Sequence, residues 1–71
     1  MRILGIDPGL ARVGYGIVDT SDGHNQMLDC GIIRTDPKQS EGERMVEIEK
    51  DLREIIHKWE PKLAAVEKFF F

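Results

Sequence analysis

The 71-residue sequence has no long apolar run, no pair of cysteines and no excess of basic charge. Each absence excludes something. A membrane-spanning helix needs about 20 consecutive apolar residues, and no stretch here approaches that. The N-terminus also lacks the basic segment and extended apolar core of a secretory signal. No membrane association is expected. With a single cysteine, Cys30, no intrachain disulfide can form. The apolar, strand-like neighbourhood of Cys30 predicts a buried structural thiol in a reducing compartment. Lys and Arg total 10 against 13 Asp and Glu, a net charge of −3. Nucleic-acid-binding surfaces are usually basic. Any grip on phosphates must therefore be local, or lie on chain not present here.

Seventy-one residues make at most one small domain, which buries only about 60% of its unfolded surface. The sequence stops at three consecutive aromatics, Phe69-Phe70-Phe71. Chain ends are normally solvated, and an exposed triple Phe invites aggregation. Residues 1–71 are thus expected to be the front part of a longer protein.

What is present reads as alternating strands, turns and one helix, without internal repeats. Arg2 to Asp7 is a near-continuous apolar run ended by the Pro8-Gly9 turn, as in a buried strand. Val13 to Asp19 alternates, with Val13, Tyr15 and Ile17 on one face and Gly14 and Gly16 on the other. The polar cluster Ser21-Asp22-Gly23-His24-Asn25 marks a turn. Gln26 to Thr35 supplies a third strand. Short connections favour an antiparallel meander. Ser40-Glu41-Gly42-Glu43 matches a capping box. It precedes Met45, Ile48, Leu52, Ile55, Ile56 and Trp59 at helical spacing, and Pro61 stops the helix. Leu63 to Val66 is a fourth strand, which the helical crossover allows to lie parallel to the first. The expected fold is α/β, with a mixed sheet in β-β-β-α-β order.

Two carboxylates stand where apolar strands end, Asp7 before Pro8 and Glu67 after Val66. An ionised group at such a position is costly to bury without compensation. If the two strands are neighbours, both acids reach one hard cation. Mg²⁺ takes few carboxylates, several waters and phosphate oxygens, and such sites hydrolyse phosphodiesters. The competing explanation is that strand-end acids cap the turns that follow them. The pairing of the two acids favours the metal, although a further acid or two is normally expected. Gly9, Gly14 and Gly16 permit either close approach to a phosphate or simply a tight hairpin. His24 and His57 lack metal-ligand spacing and read as solvated residues. Trp59 completes the helix stripe and reads as core. Phe70 follows Glu67 by three residues, where it serves either as a core contact or as a platform for an unpaired base.

Ile3-Leu-Gly-Ile-Asp-Pro-Gly9, Gly14-Tyr-Gly-Ile-Val18, Gly31-Ile-Ile-Arg-Thr35 and Ala65-Val-Glu-Lys-Phe-Phe70 together resemble the N-terminal half of the RuvC family of bacterial Holliday junction resolvases. The resemblance implies a ribonuclease H-like fold, with residues 1–71 as the N-terminal part of one nuclease domain. It implies a Mg²⁺-dependent endonuclease, with Mn²⁺ as a substitute, that cuts opposed strands of a four-way DNA junction in recombination and repair. It implies Asp7 and Glu67 as metal ligands and Phe70 as a base-stacking residue. A homodimer, the RuvA–RuvB branch-migration complex as partner and a bacterial cytoplasmic location are implied as well. The family's remaining two catalytic acids, its dimerising helix and most of its basic surface lie beyond Phe71, so this polypeptide alone is expected to be inactive. Two other readings compete. YqgF-like RNA nucleases share the Asp-Pro-Gly opening but fit the Gly31–Thr35 and Glu67–Phe70 segments less well. ATP-binding domains of the actin and sugar-kinase type open on a similar Asp-x-Gly hairpin, but usually follow its glycine with a hydroxyl or basic residue, where Leu10 and Ala11 stand here. A non-catalytic scaffold with the same fold is a third.

Overall fold

The computed structural model describes residues 1–67. Its elements are β1 (Arg2–Asp7), β2 (Arg12–Asp19), β3 (Gln26–Arg34), α1 (Glu41–Trp59) and β4 (Leu63–Val66), with a 3-10 turn at Ser21–Gly23 between β2 and β3. The four strands form one sheet in the order β3-β2-β1-β4. β2 is antiparallel to β1 and β3, while β4 runs parallel to β1. The expected meander and parallel return are therefore the ones observed, with β3 ending one residue earlier than its apolar pattern suggests.

Two directly opposed pairs make the core. Leu4 faces Ile17 at 1% and 0% exposure, and Val13 faces Ile33 at 3% and 5%. Directly opposed residues share a sheet face. All four are thus on the side that α1 covers. Alternation sends Ile3, Gly5 and Asp7 of β1 to the other side, with Gly14, Gly16, Val18, Met27, Cys30 and Ile32. That side carries no helix among the described residues, and Met27, Ile32 and Leu63 are exposed on it. Cys30 shares it. The expectation of a buried thiol is thereby corrected: Cys30 is exposed, because it pairs with Gly16 on the uncovered face.

α1 begins as its sequence predicts. The Ser40 hydroxyl accepts the Glu43 N–H at 3.2 Å and donates to the Glu43 carboxylate at 3.1 Å. The carboxylate thus returns to the cap hydroxyl rather than to the cap N–H of a standard capping box. Glu41 and Glu43 in the first turn, with His57 and Lys58 in the last, complement the helix dipole. The end is set by Glu60, a left-handed residue (φ 49°) whose N–H donates to the Ile56 carbonyl at 2.8 Å, immediately before Pro61. The apolar stripe is only partly used. Ile48, Leu52, Ile55 and Trp59 are half-buried, while Met45 and Ile56 stay exposed.

The C-terminal end of α1 is pinned by polar contacts rather than by burial. The Trp59 indole N–H donates to Asp29 Oδ2 at 3.1 Å, and the Arg2 guanidinium donates to the Trp59 carbonyl at 2.8 Å. The Arg2 and Lys58 charges lie 5.6 and 5.0 Å from the indole ring centre, within range of cation–π attraction. This anchor joins the start of β1, the middle of β3 and the helix end, and it aims the chain into β4.

Asp29 also borders Tyr15, whose ring lies over Gly31 on the helix side. A Cβ at Gly31 would sit 2.8 Å from the Tyr15 hydroxyl oxygen. Gly31→Ala is expected to displace the ring and cost about 1–3 kcal/mol, the usual range for overpacking, as measured by urea denaturation. Burial, reinforced by the Asp29 carboxylate, holds the Tyr15 phenol above its ordinary pKa of 10.0. A raised pKa contributes stability below the unfolded value, and that stability is lost as pH climbs through the folded value. Urea midpoints should therefore fall above about pH 10, and Tyr15→Phe should flatten that part of the profile.

Candidate active site

β1 ends at Asp7 and β4 at Val66, and the last cross-strand pair is Ile6 with Val66. The Glu67 N–H continues the ladder by donating to the Ile6 carbonyl at 3.0 Å. Asp7 and Glu67 are therefore successive to partnered residues on adjacent parallel strands, whose axes lie about 4.8 Å apart. By alternation both belong to the face opposite α1, and both are exposed. The structure thus brings together two of the three residues singled out in the sequence. The third, Phe70, lies outside the described residues.

The glycines next to Asp7 have distinct roles. Gly14 is its direct partner on β2, and a Cβ there would make only an ordinary 3.6 Å contact with the Asp7 Cβ. Gly9 is different: a Cβ would lie 2.6 Å from the Arg12 carbonyl oxygen. The turn after Asp7 closes too tightly for any other residue.

That turn is tied down from the helix side by a contact that sequence patterns do not reveal. Thr35, 8% exposed just after β3, donates its hydroxyl to the Leu10 carbonyl at 2.7 Å. Its N–H donates to the Ala11 carbonyl at 3.2 Å. Arg44, in the second turn of α1, donates Nε to the same hydroxyl at 2.9 Å. The helix start, the end of β3 and the turn beyond Asp7 thus share one buried oxygen. The signal in the sequence was the short polar end of Gly31-Ile-Ile-Arg-Thr35, but its partner in α1 is nine residues away.

A hard cation fits what the two acids present. Mg²⁺ needs only one or two protein carboxylates when waters and substrate phosphate oxygens fill the other positions, and both acids face open space. No third His, Cys, Asp or Glu joins them among the described residues. His24 and His57 are exposed and lie elsewhere, on the β2–β3 turn and α1.

Two arginines share the same rim. Arg12 opens β2 and Arg34 closes β3, directly opposite each other. They are two residues from the Gly14–Ile32 pair and therefore on the face of Asp7. Both are exposed.

Thr35→Val should leave the Leu10 carbonyl and the Arg44 Nε without their partner, costing about 1–3 kcal/mol. Amide hydrogen exchange at residues 9–12 should quicken more than at β1. Equal quickening throughout the sheet would mean that Thr35 is only a general core residue.

Known proteins match this chain in sequence and in fold. A family model described as crossover junction endodeoxyribonuclease RuvC covers residues 3–71. A crossover junction endodeoxyribonuclease RuvC of Parasynechococcus marenigrum (strain WH8102) is 78% identical over all 71 residues, which make up 46% of its own length. The structure of Thermus thermophilus RuvC superposes with a TM-score of 0.90 at 31% identity, over 100% of this chain and 45% of that one. T. thermophilus RuvC in complex with a Holliday junction substrate gives 0.88 at 32% identity, covering 100% and 46%. The chain spans about half the length of the curated relatives it matches. Its sheet and helix are those of the ribonuclease H-like fold, and on the match over residues 3–71 the chain belongs to the RuvC family.

Proposed function

We propose that residues 1–71 supply the N-terminal part of a ribonuclease H-like nuclease domain that, when complete, resolves four-way DNA junctions by paired phosphodiester hydrolysis. The observation that carries this reading is the register that sets Asp7 and Glu67 side by side on one open face, in a chain of the RuvC family. Asp7 and Glu67 would hold Mg²⁺, or Mn²⁺ in its place. When bound, such an ion lowers the pKa of water and stabilises charge on the phosphoryl oxygens.

The chain's own residues orient rather than react. Gly9 and the Thr35–Arg44 contact hold the turn that carries Asp7, so its carboxylate stays at the rim instead of folding back as a turn cap. The β1–β4 ladder holds Glu67 beside it. The uncovered face leaves room for a DNA strand and for further acids of the complete domain. Phe70, three residues past Glu67, would stack on an unpaired base. Action as a homodimer, in partnership with the RuvA–RuvB complex in the bacterial cytoplasm, belongs to the same proposal. With two carboxylates, the 71-residue chain by itself should not cut.

The test joins this chain to the remaining residues of the P. marenigrum relative and assays a four-way junction. Asp7→Asn and Glu67→Gln should each lower the cleavage rate at least about 100-fold, since even outer-shell changes at metal sites cost 10–100-fold. Junction binding in EDTA should be retained. Unchanged cleavage by both variants would sink the assignment. The 71-residue chain alone should show no cleavage with Mg²⁺ or Mn²⁺.

A further inference from the structure

Across the rim of the sheet, in strand order β3-β2-β1-β4, stand Arg34, Arg12, Asp7 and Glu67, which alternation assigns to the face away from α1, with Arg34 on the edge strand also bordering Asp51 and Glu54 of α1. Two cations are followed by two anions. The arginines are the unexplained half. They are directly opposed on antiparallel strands, an arrangement in which like charges repel and destabilise the sheet. Among the described residues neither takes part in an ion pair, the only such pairs being Met1 with Asp19 and Arg53 with Glu49. Neither guanidinium donates a hydrogen bond there either, in contrast to those of Arg2, Arg44 and Arg53.

We propose that Arg12 and Arg34 form a two-pronged grip for a backbone phosphate of the nucleic-acid strand that crosses the Asp7–Glu67 site. The ligand chemistry is a phosphodiester. Two guanidiniums on opposed strands can converge on one anion, each through paired N–H donors suited to phosphate oxygens. The bound anion would relieve the repulsion that the empty pair carries. The grip lies two strand spacings across the sheet and two residues along it from the acid pair, about 12 Å in all, and its long side chains span much of that interval. It would therefore hold a phosphate near the one being cut. The net charge of −3 is no obstacle: a phosphate in contact with the grip feels the nearby guanidiniums most, because charges farther than about 8–10 Å are largely screened at physiological salt. Contacts of this kind position a strand without reading its sequence.

The inference rests on the nuclease reading for its purpose but not for its measurement. The ¹⁵N-labelled 71-residue chain is titrated in EDTA with a short oligothymidylate to millimolar concentration. The Nε–H resonances of Arg12 and Arg34 should shift together and saturate, with the affinity falling as salt rises. Arg12→Gln and Arg34→Gln should each weaken binding by about tenfold, the equivalent of one charge-assisted hydrogen bond. Each should also lower the log–log salt slope by close to 1. Arg12→Lys and Arg34→Lys keep the charge and should recover part of the affinity and all of the slope. Shifts confined to other residues, or a glutamine double variant with unchanged affinity and slope, would overturn the grip. If the grip behaves as stated while Asp7→Asn and Glu67→Gln of the completed protein still cleave, the nuclease assignment fails and the phosphate site stands.

Discussion

Leu4 lies directly opposite Ile17, and the rest of the site depends on that pairing. Both side chains are fully buried beneath α1. A one-residue slip of β1 against β2 would turn Leu4 out to the uncovered face while Ile17 stayed beneath α1. The same slip would turn Asp7 toward the helix. The hydrophobic term that holds this register, on the order of 1.5–3 kcal/mol for each fully buried aliphatic side chain, therefore also decides which way the acid points. Glu67 inherits its direction from β1 through the parallel ladder. No separate interaction is needed to aim the two carboxylates.

The two faces of the sheet divide the work. The α1 side carries the apolar pairs Leu4–Ile17 and Val13–Ile33 and the polar fastenings at either end of the helix. At one end Arg44 and Thr35 hold the turn beyond Asp7. At the other, Asp29 and Arg2 fix Trp59 and aim the crossover. The opposite face bears small and exposed residues around a rim of charge. Gly5, Gly14 and Gly16 leave the backbone low there, beside Asp7. Such a face is poorly suited to closing a core and well suited to receiving a strand or a further element of the domain. The helix stripe is incompletely buried for a related reason: β4 is only four residues long, and Val66, paired with Ile6 on the α1 face, remains 57% exposed.

Much of this was legible along the chain, and the exceptions share a cause. Short apolar runs bounded by turn residues marked the four strands, with clear alternation in β2, and period-3.6 spacing marked α1, because such patterns follow from local backbone geometry. Ser40 and Pro61 bounded the helix for equally local reasons. Cys30 was misread because its neighbours Leu28 and Ile32 are apolar, whereas its exposure depends on which face of β3 the helix covers. A shift in the β2–β3 register between Ile17 and Val18 further separates sequence parity from face in that strand. Thr35 and Arg44 were not legible as partners, nor Asp29 and Trp59. Each pair joins elements through single hydrogen bonds, which leave no periodic trace. The family match confirms the fold, and it takes away the ground for the YqgF-like and ATP-binding alternatives.

By itself the sequence determined the order and type of the elements, the acidic residues at the ends of two strands and the presence of a turn at Pro8-Gly9. Each of these follows from interactions within a few residues. Only the tertiary structure decided that β4 pairs with β1, that Asp7 and Glu67 share one face, and that Arg12 and Arg34 stand beside them on the same rim. Those facts depend on register between strands up to sixty residues apart, which is chosen by burying Leu4 against Ile17 and by the anchor at Trp59 rather than by any local preference.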